Sequence, residues 1–204
     1  MAKPARLVSA ARFRVATPAA SSTMPTGLTR RSLLIAAPLV VAGCATVPPS
    51  PQGATRSVSL IDAFQGRTVG RGLFSVPIAG IERGFDARLN GTLRTVRGVE
   101  TLTVVEDFFF DDGETDRLTW VFARIGPDSW TGVREDTVGS ASVVETGDEV
   151  RLTYVADVES RGETTRLGFA DVIYRRADGV VINEAVVTRF GLPIGSVLFE
   201  LRPA

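Results

Sequence analysis

The chain has 204 residues, with 23 Lys and Arg, 23 Asp and Glu, one cysteine and no histidine. Lack of histidine excludes Ser-His-Asp and Cys-His catalysis and every His-based metal site, and a single cysteine excludes an internal disulfide framework or a thiolate-clustered metal centre. An apolar content of 44% beside 23% charged residues is that of a globular chain long enough to bury one good core.

The formal net charge of zero hides an asymmetry. Lys3, Arg6, Arg12, Arg14, Arg30 and Arg31 lie within the first 43 residues, which hold no acidic residue; from Cys44 onward 17 arginines face 23 acids, a net charge of about −6. Thr29-Arg30-Arg31-Ser32 leads into the apolar run 33–42, which ends at Gly43-Cys44. A charged region, a short apolar stretch too brief to span a bilayer and small residues at a cleavage point mark residues 1–43 as an export signal. Arg30 and Arg31 resemble the twin-arginine class of bacterial signals. Met24 opens an n-region of ordinary length, so a second reading takes residues 1–23 as a misassigned start.

Val41-Ala42-Gly43-Cys44 resembles a bacterial lipobox, which implies that Cys44 is acylated and that the lipid bilayer is its partner. The competing reading of a lone Cys is a small buried hydrophobe. Two or more acyl chains give stable anchoring. Ala45, uncharged beside the anchor, is the usual state in lipoproteins sorted to the outer membrane. The expected location is therefore the bacterial cell envelope, facing the periplasm, at the outer membrane. Residues 44–57, rich in proline and small residues, read as a flexible tether. Residues 58–204 form the domain.

Ser59 to Gln65, with Leu60, Ile61 and Phe64 at helical spacing, predicts one short helix. Gly70-Arg71-Gly72 lacks the third glycine of a dinucleotide loop and sits in a strand-like context. Beyond it the apolar residues alternate: Phe85, Ala87, Leu89, Gly91 and Leu93; Leu102, Val104, Glu106, Phe108 and Phe110; Leu118, Trp120 and Phe122; Val150, Leu152, Tyr154 and Ala156; Leu167, Phe169, Asp171 and Ile173. Such alternation means half-buried antiparallel strands. Turns are marked at Arg97-Gly98, Asp112-Gly113, Gly126-Pro127-Asp128, Gly147-Asp148, Arg161-Gly162 and Asp178-Gly179, and Gly91 reads as a bend within a strand. Nine or ten consecutive strands with no room for crossover helices predict an all-β fold, an antiparallel up-and-down barrel of the lipocalin kind. A two-sheet sandwich is the alternative.

Within the predicted strands Glu106 shares a face with Phe108, and Asp171 lies between Phe169 and Ile173. If those faces are interior, two carboxylates are buried and need partners. Asn183, which alternates with Val181 and Ala185, and Arg189, Arg71, Arg117 and Arg166 are the candidates. With Trp120, Phe108 and Phe169 they form a candidate ligand site or buried polar network. The acidic run 111–116 lacks the ligand spacing of a calcium loop and reads as a solvated hairpin tip. No cofactor or metal is implied, and an acidic domain disfavours nucleic acid.

These residues resemble the DUF3833 family of bacterial lipoproteins of unknown function. The resemblance rests on Phe64-Gln65-Gly66, Gly70-Arg71-Gly72 with Phe74, the stretch from Glu106 to Glu114 with Trp120, Glu135-Asp136 with Val138-Gly139, and Leu152-Thr153-Tyr154. It continues through Phe169-Ala170-Asp171 with Tyr174 and from Val181 to Glu184 with Gly191 and Gly195. Two departures are Val172, where the family pattern has Trp, and Arg134-Glu135-Asp136, where Ala-Asp-Asp is usual. The resemblance implies an envelope lipoprotein with a β-rich, barrel-like domain, and supplies no activity. The functional expectation is a membrane-anchored barrel that binds a small apolar or amphipathic ligand such as a lipid, without enzymatic activity. The alternative is a non-catalytic structural or assembly lipoprotein with a filled core, whose protein partner the sequence does not name.

Overall fold

The computed structural model describes residues 56–160 and 162–204. The export signal with Arg30 and Arg31, the acylation site Cys44 and the tether up to residue 55 lie outside the described residues. Helix α1 (Leu60–Phe64) is followed by ten strands: β1 (Gly66–Val76), β2 (Ile81–Val96), β3 (Val99–Phe110), β4 (Thr115–Gly126), β5 (Ser129–Val133), β6 (Ala141–Glu145), β7 (Glu149–Ser160), β8 (Glu163–Arg175), β9 (Val181–Arg189) and β10 (Leu192–Pro203). Every strand pairs antiparallel with its predecessor, and β10 returns to pair with β1 from Thr68↔Pro203 to Ser75↔Ser196. The result is the closed up-and-down barrel read from the alternation, in which each strand has a neighbour on both sides.

Local sequence explains the hairpins. Arg97-Gly98 takes positive φ at both residues, 52° and 84°, as the tight turns that match strand twist demand. The β9–β10 hairpin uses Phe190-Gly191 with φ of 53° and 77°. A phenylalanine there is not a turn signal, and this turn is not among those marked by the sequence. Gly70 and Gly72 lie in β1, where a Cβ would come within 2.5 Å of the Phe199 ring and 2.2 Å of the Phe85 ring. These glycines seat aromatic rings against the wall.

α1 closes one end of the barrel. It is capped by Ser59, whose hydroxyl accepts from the Asp62 N–H at 3.0 Å while the Ser59 N–H donates to Asp62 Oδ2 at 3.2 Å. Five residues are too few for a helix to hold itself, so packing holds it. Leu60, Ala63 and Phe64 are buried in a core with Leu89, Leu102, Phe122, Trp130, Val143, Val150 and Leu201. Gly91 of β2 is small because α1 comes so near: a Cβ there would sit 1.7 Å from the Phe64 carbonyl oxygen. Gly91→Ala must displace backbone rather than a side chain, and the expected cost is about 1–3 kcal/mol. Denaturant unfolding measures it, and an unchanged midpoint would show that α1 does not hold this position.

Outside the barrel, Arg71 pairs with Asp86 at 2.9 Å, Arg117 with Asp107 at 2.7 Å and Arg166 with Asp157 at 2.8 Å. Charges set along the outward face suit water, since arginine on a lipid-facing strand costs about 2–4 kcal/mol at mid-membrane.

Candidate functional site

The interior is hollow. A cavity of about 1200 Å³ runs from Phe64 of α1 towards the opposite end of the barrel, where Ala79, Glu114, Ser160 and Arg189 stand at its mouth. Its walls are aromatic because the inward positions of β2, β3, β4, β7, β8 and β10 carry rings. Phe85 meets Phe108 edge-on with centroids 5.6 Å apart, and meets Phe199 at 5.2 Å. Trp120 stacks on Phe122 at 4.9 Å and meets Tyr154 edge-on at 5.1 Å, and Tyr154 stacks on Phe169 at 4.8 Å. Such pairs fix ring positions beyond what burial alone gives.

Among these rings lies a polar group. Glu106 of β3 and Asp171 of β8 are buried, and β3 and β8 sit on opposite walls of the ten-strand ring. The Asn183 side-chain amide donates to Asp171 Oδ2 at 3.0 Å. The cation among them is Arg134, whose Nη1 is 3.5 Å from Glu106 Oε2 and whose Nε and Nη2 donate to Asp136 at 2.7 and 2.9 Å. The guanidinium also lies 4.8 Å from the Trp120 ring centroid and 5.3 Å from that of Tyr154.

Arg134 reaches the interior through the connection between β5 and β6. Thr137 Oγ1 accepts from the Arg134 N–H and donates to the Arg134 carbonyl, closing a compact turn. The segment is fixed to β7 by a bridge between Thr137 and Ala156 and by the Val138 N–H donating to the Val155 carbonyl at 2.8 Å. On the other side the Thr119 N–H donates to Glu135 Oε2 at 2.6 Å. The turn thus substitutes for the missing length of two five-residue strands and turns a charged side chain inward.

Burial sets the titration of this group. Desolvation pushes the carboxyls of Glu106 and Asp171 from the ordinary carboxylate range up to about 7, against the opposing pull of Arg134 and, for Asp171, of the Asn183 hydrogen bond. Burial, then the charge of Asp171, raises the Tyr154 hydroxyl well above its ordinary value. Burial works against the charge of Arg134, but Tyr154, Asp136 and Glu106 outweigh it and hold the guanidinium above its ordinary value.

Glu106, Asp171, Asn183, Trp120, Phe108 and Phe169 are therefore brought together around one cavity. Arg189 is not part of their network: it is exposed at the end of β9, at the cavity mouth, with its guanidinium 5.3 Å from the Phe190 ring. Arg71, Arg117 and Arg166 face outward and are paired there. The interior cation is Arg134, which the sequence shows only as a departure from the family pattern and not as a partner of the carboxylates; the segment between β5 and β6 has no strand alternation to show which way it points. At the mouth Arg83 lies 3.6 Å from the Phe110 ring centroid and takes Asp112 at 2.8 Å and Glu114 as partners. Among the described residues no three acidic side chains converge as a metal site.

Fold and cavity together define a class, the closed antiparallel β-barrels with a hollow, aromatic-walled interior and a buried ionisable group. The chain belongs to the family described as "Protein of unknown function (DUF3833)", whose model matches residues 38–202. No curated protein matches it.

Proposed function

We propose that this protein is a bacterial envelope lipoprotein, anchored through acylated Cys44, whose barrel binds a small amphipathic molecule. The observation that supports the reading is the cavity: about 1200 Å³, aromatic on its walls and closed at one end by α1, with a few polar groups gathered inside. Ligand sites are concave, mostly apolar and furnished with a small number of placed polar groups, and this cavity meets or exceeds their usual size range. Binding is preferred to catalysis because Glu106 and Asp171 lie on opposite walls of an aromatic-lined interior, where they suit the orienting of a head group.

Native mass spectrometry of the full chain purified from its own membranes tests the proposal, with Trp120 fluorescence as a second readout. The expected result is a co-purifying molecule of a few hundred daltons whose removal changes the Trp120 emission and whose return restores it. A protein that carries nothing, and whose emission ignores a panel of apolar and amphipathic compounds, overturns it.

A further inference from the structure

We infer that the cavity selects a ligand with a primary ammonium group joined to an apolar or aromatic body. The inference rests on the ligand-binding reading above and goes beyond it by naming the head group. Its basis is a set of oxygens with nothing to accept from. Glu106 Oε2, Asp171 Oδ1 and Asn183 Oδ1 are all buried without a hydrogen-bond partner, and the two acidic side chains are more than nine-tenths buried. A buried acceptor left unpaired costs about 1–3 kcal/mol, and more when it is charged.

The protein's own donors do not meet this need. The Asn183 amide is spent on Asp171, and Arg134 is held in a two-pronged pair by Asp136, leaving Glu106 Oε2 at 3.5 Å, beyond a good hydrogen bond. Arg134 is thus one guanidinium among three carboxyl groups, hydrogen-bonded to Asp136 and only loosely paired with Glu106, so the carboxyls outnumber the positive charge beside them. The missing group is one that donates several hydrogen bonds, accepts none and carries positive charge. An ammonium is the compact form of that group, with three donors. The rings of Trp120 and Tyr154 already hold one cation, the Arg134 guanidinium, which shows that these walls suit positive charge, while a carboxylate or phosphate head brings further negative charge to a group that already has three carboxyls. Desolvation raises both carboxyls in spite of the pull of Arg134, and a second cation placed between them would lower both.

The test compares n-decylamine, n-decanol and decanoate, all below their aggregation limits, titrated into the full chain with Trp120 emission and calorimetry as readouts. The same titrations follow for Glu106→Gln and Asp171→Asn. The amine is expected to bind at least about tenfold more tightly than the alcohol or the carboxylate. Each substitution should weaken the amine by about tenfold and leave the alcohol nearly unchanged. Equal binding of all three probes, or preference for decanoate, overturns the ammonium inference and leaves the binding proposal standing. Binding of none of them counts against both. The comparison of probes on the unmodified protein does not depend on either variant folding.

Discussion

The ligand-free barrel should lose stability as the pH rises from 4 to 8, the reverse of the usual acid denaturation. In the folded protein Glu106 and Asp171 titrate at about 7, well above the ordinary carboxylate range of the unfolded chain. Between those values the folded state holds protons that the unfolded chain has released, so folding takes up protons and stability falls with rising pH. The stabilising share of each group is fully present below about pH 4 and is gone once the pH has passed 7. Each carboxyl is worth on the order of 3 kcal/mol over that range. The exposed pairs of Asp157 with Arg166 and Asp178 with Arg176 pull their carboxyls below the ordinary range. Their contribution is lost only at lower pH, outside this window. Glu106→Gln combined with Asp171→Asn should flatten the profile and make the protein more stable at pH 8 than the unmodified chain. Urea unfolding at pH 5 and pH 8 reads both effects, and a wild-type protein equally stable at the two pH values would show that these carboxyls are not desolvated.

Trp130→Ala should be the most damaging single substitution at the closed end, costing about 3–5 kcal/mol. Trp130 is fully buried in β5, and its indole N–H donates to Glu145 Oε1 at 3.1 Å. The same oxygen accepts the Leu60 N–H at 2.7 Å, so one carboxylate ties the first turn of α1 to the β5–β6 hairpin. Arg124 covers the ring at 4.1 Å and lies 3.7 Å from Glu145 Oε2. Removing the indole takes away core volume, a donor and the surface on which Arg124 rests. Trp130→Phe keeps most of the volume and loses only the donor, so a smaller loss of about 1 kcal/mol is expected. Equal losses for the two variants would place the whole effect in the hydrogen bond, and a loss below 1 kcal/mol for Trp130→Ala would remove the residue from the core argument.

Period-two alternation made most of this fold legible. It placed Glu106, Asp171, Asn183, Trp120, Phe108 and Phe169 on inward faces because in a strand parity alone decides the face. It failed where parity had too few residues to act on. β5 and β6 have five residues each, and the Arg134 turn between them is oriented by pairing with β7, a contact between residues far apart in sequence. The β9–β10 turn escaped because its first residue is Phe190, which takes positive φ without any local side-chain signal. The hollow interior was not legible either, since it depends on how far ten strands separate walls whose ring sizes alone were known.

The pairing of β1 with β10 sets Val69 opposite Arg202, so the first strand of the sheet finds its second neighbour only after the whole domain has been made. Every other pairing in the ring joins strands consecutive in sequence and can form as the chain lengthens. Closure is therefore a late step with a large loop entropy to overcome, and until it occurs the outer edges of two strands stand bare. Until β10 is seated, the bare edges of β1 and β9 are the places where this chain is most open to pairing with another copy of itself.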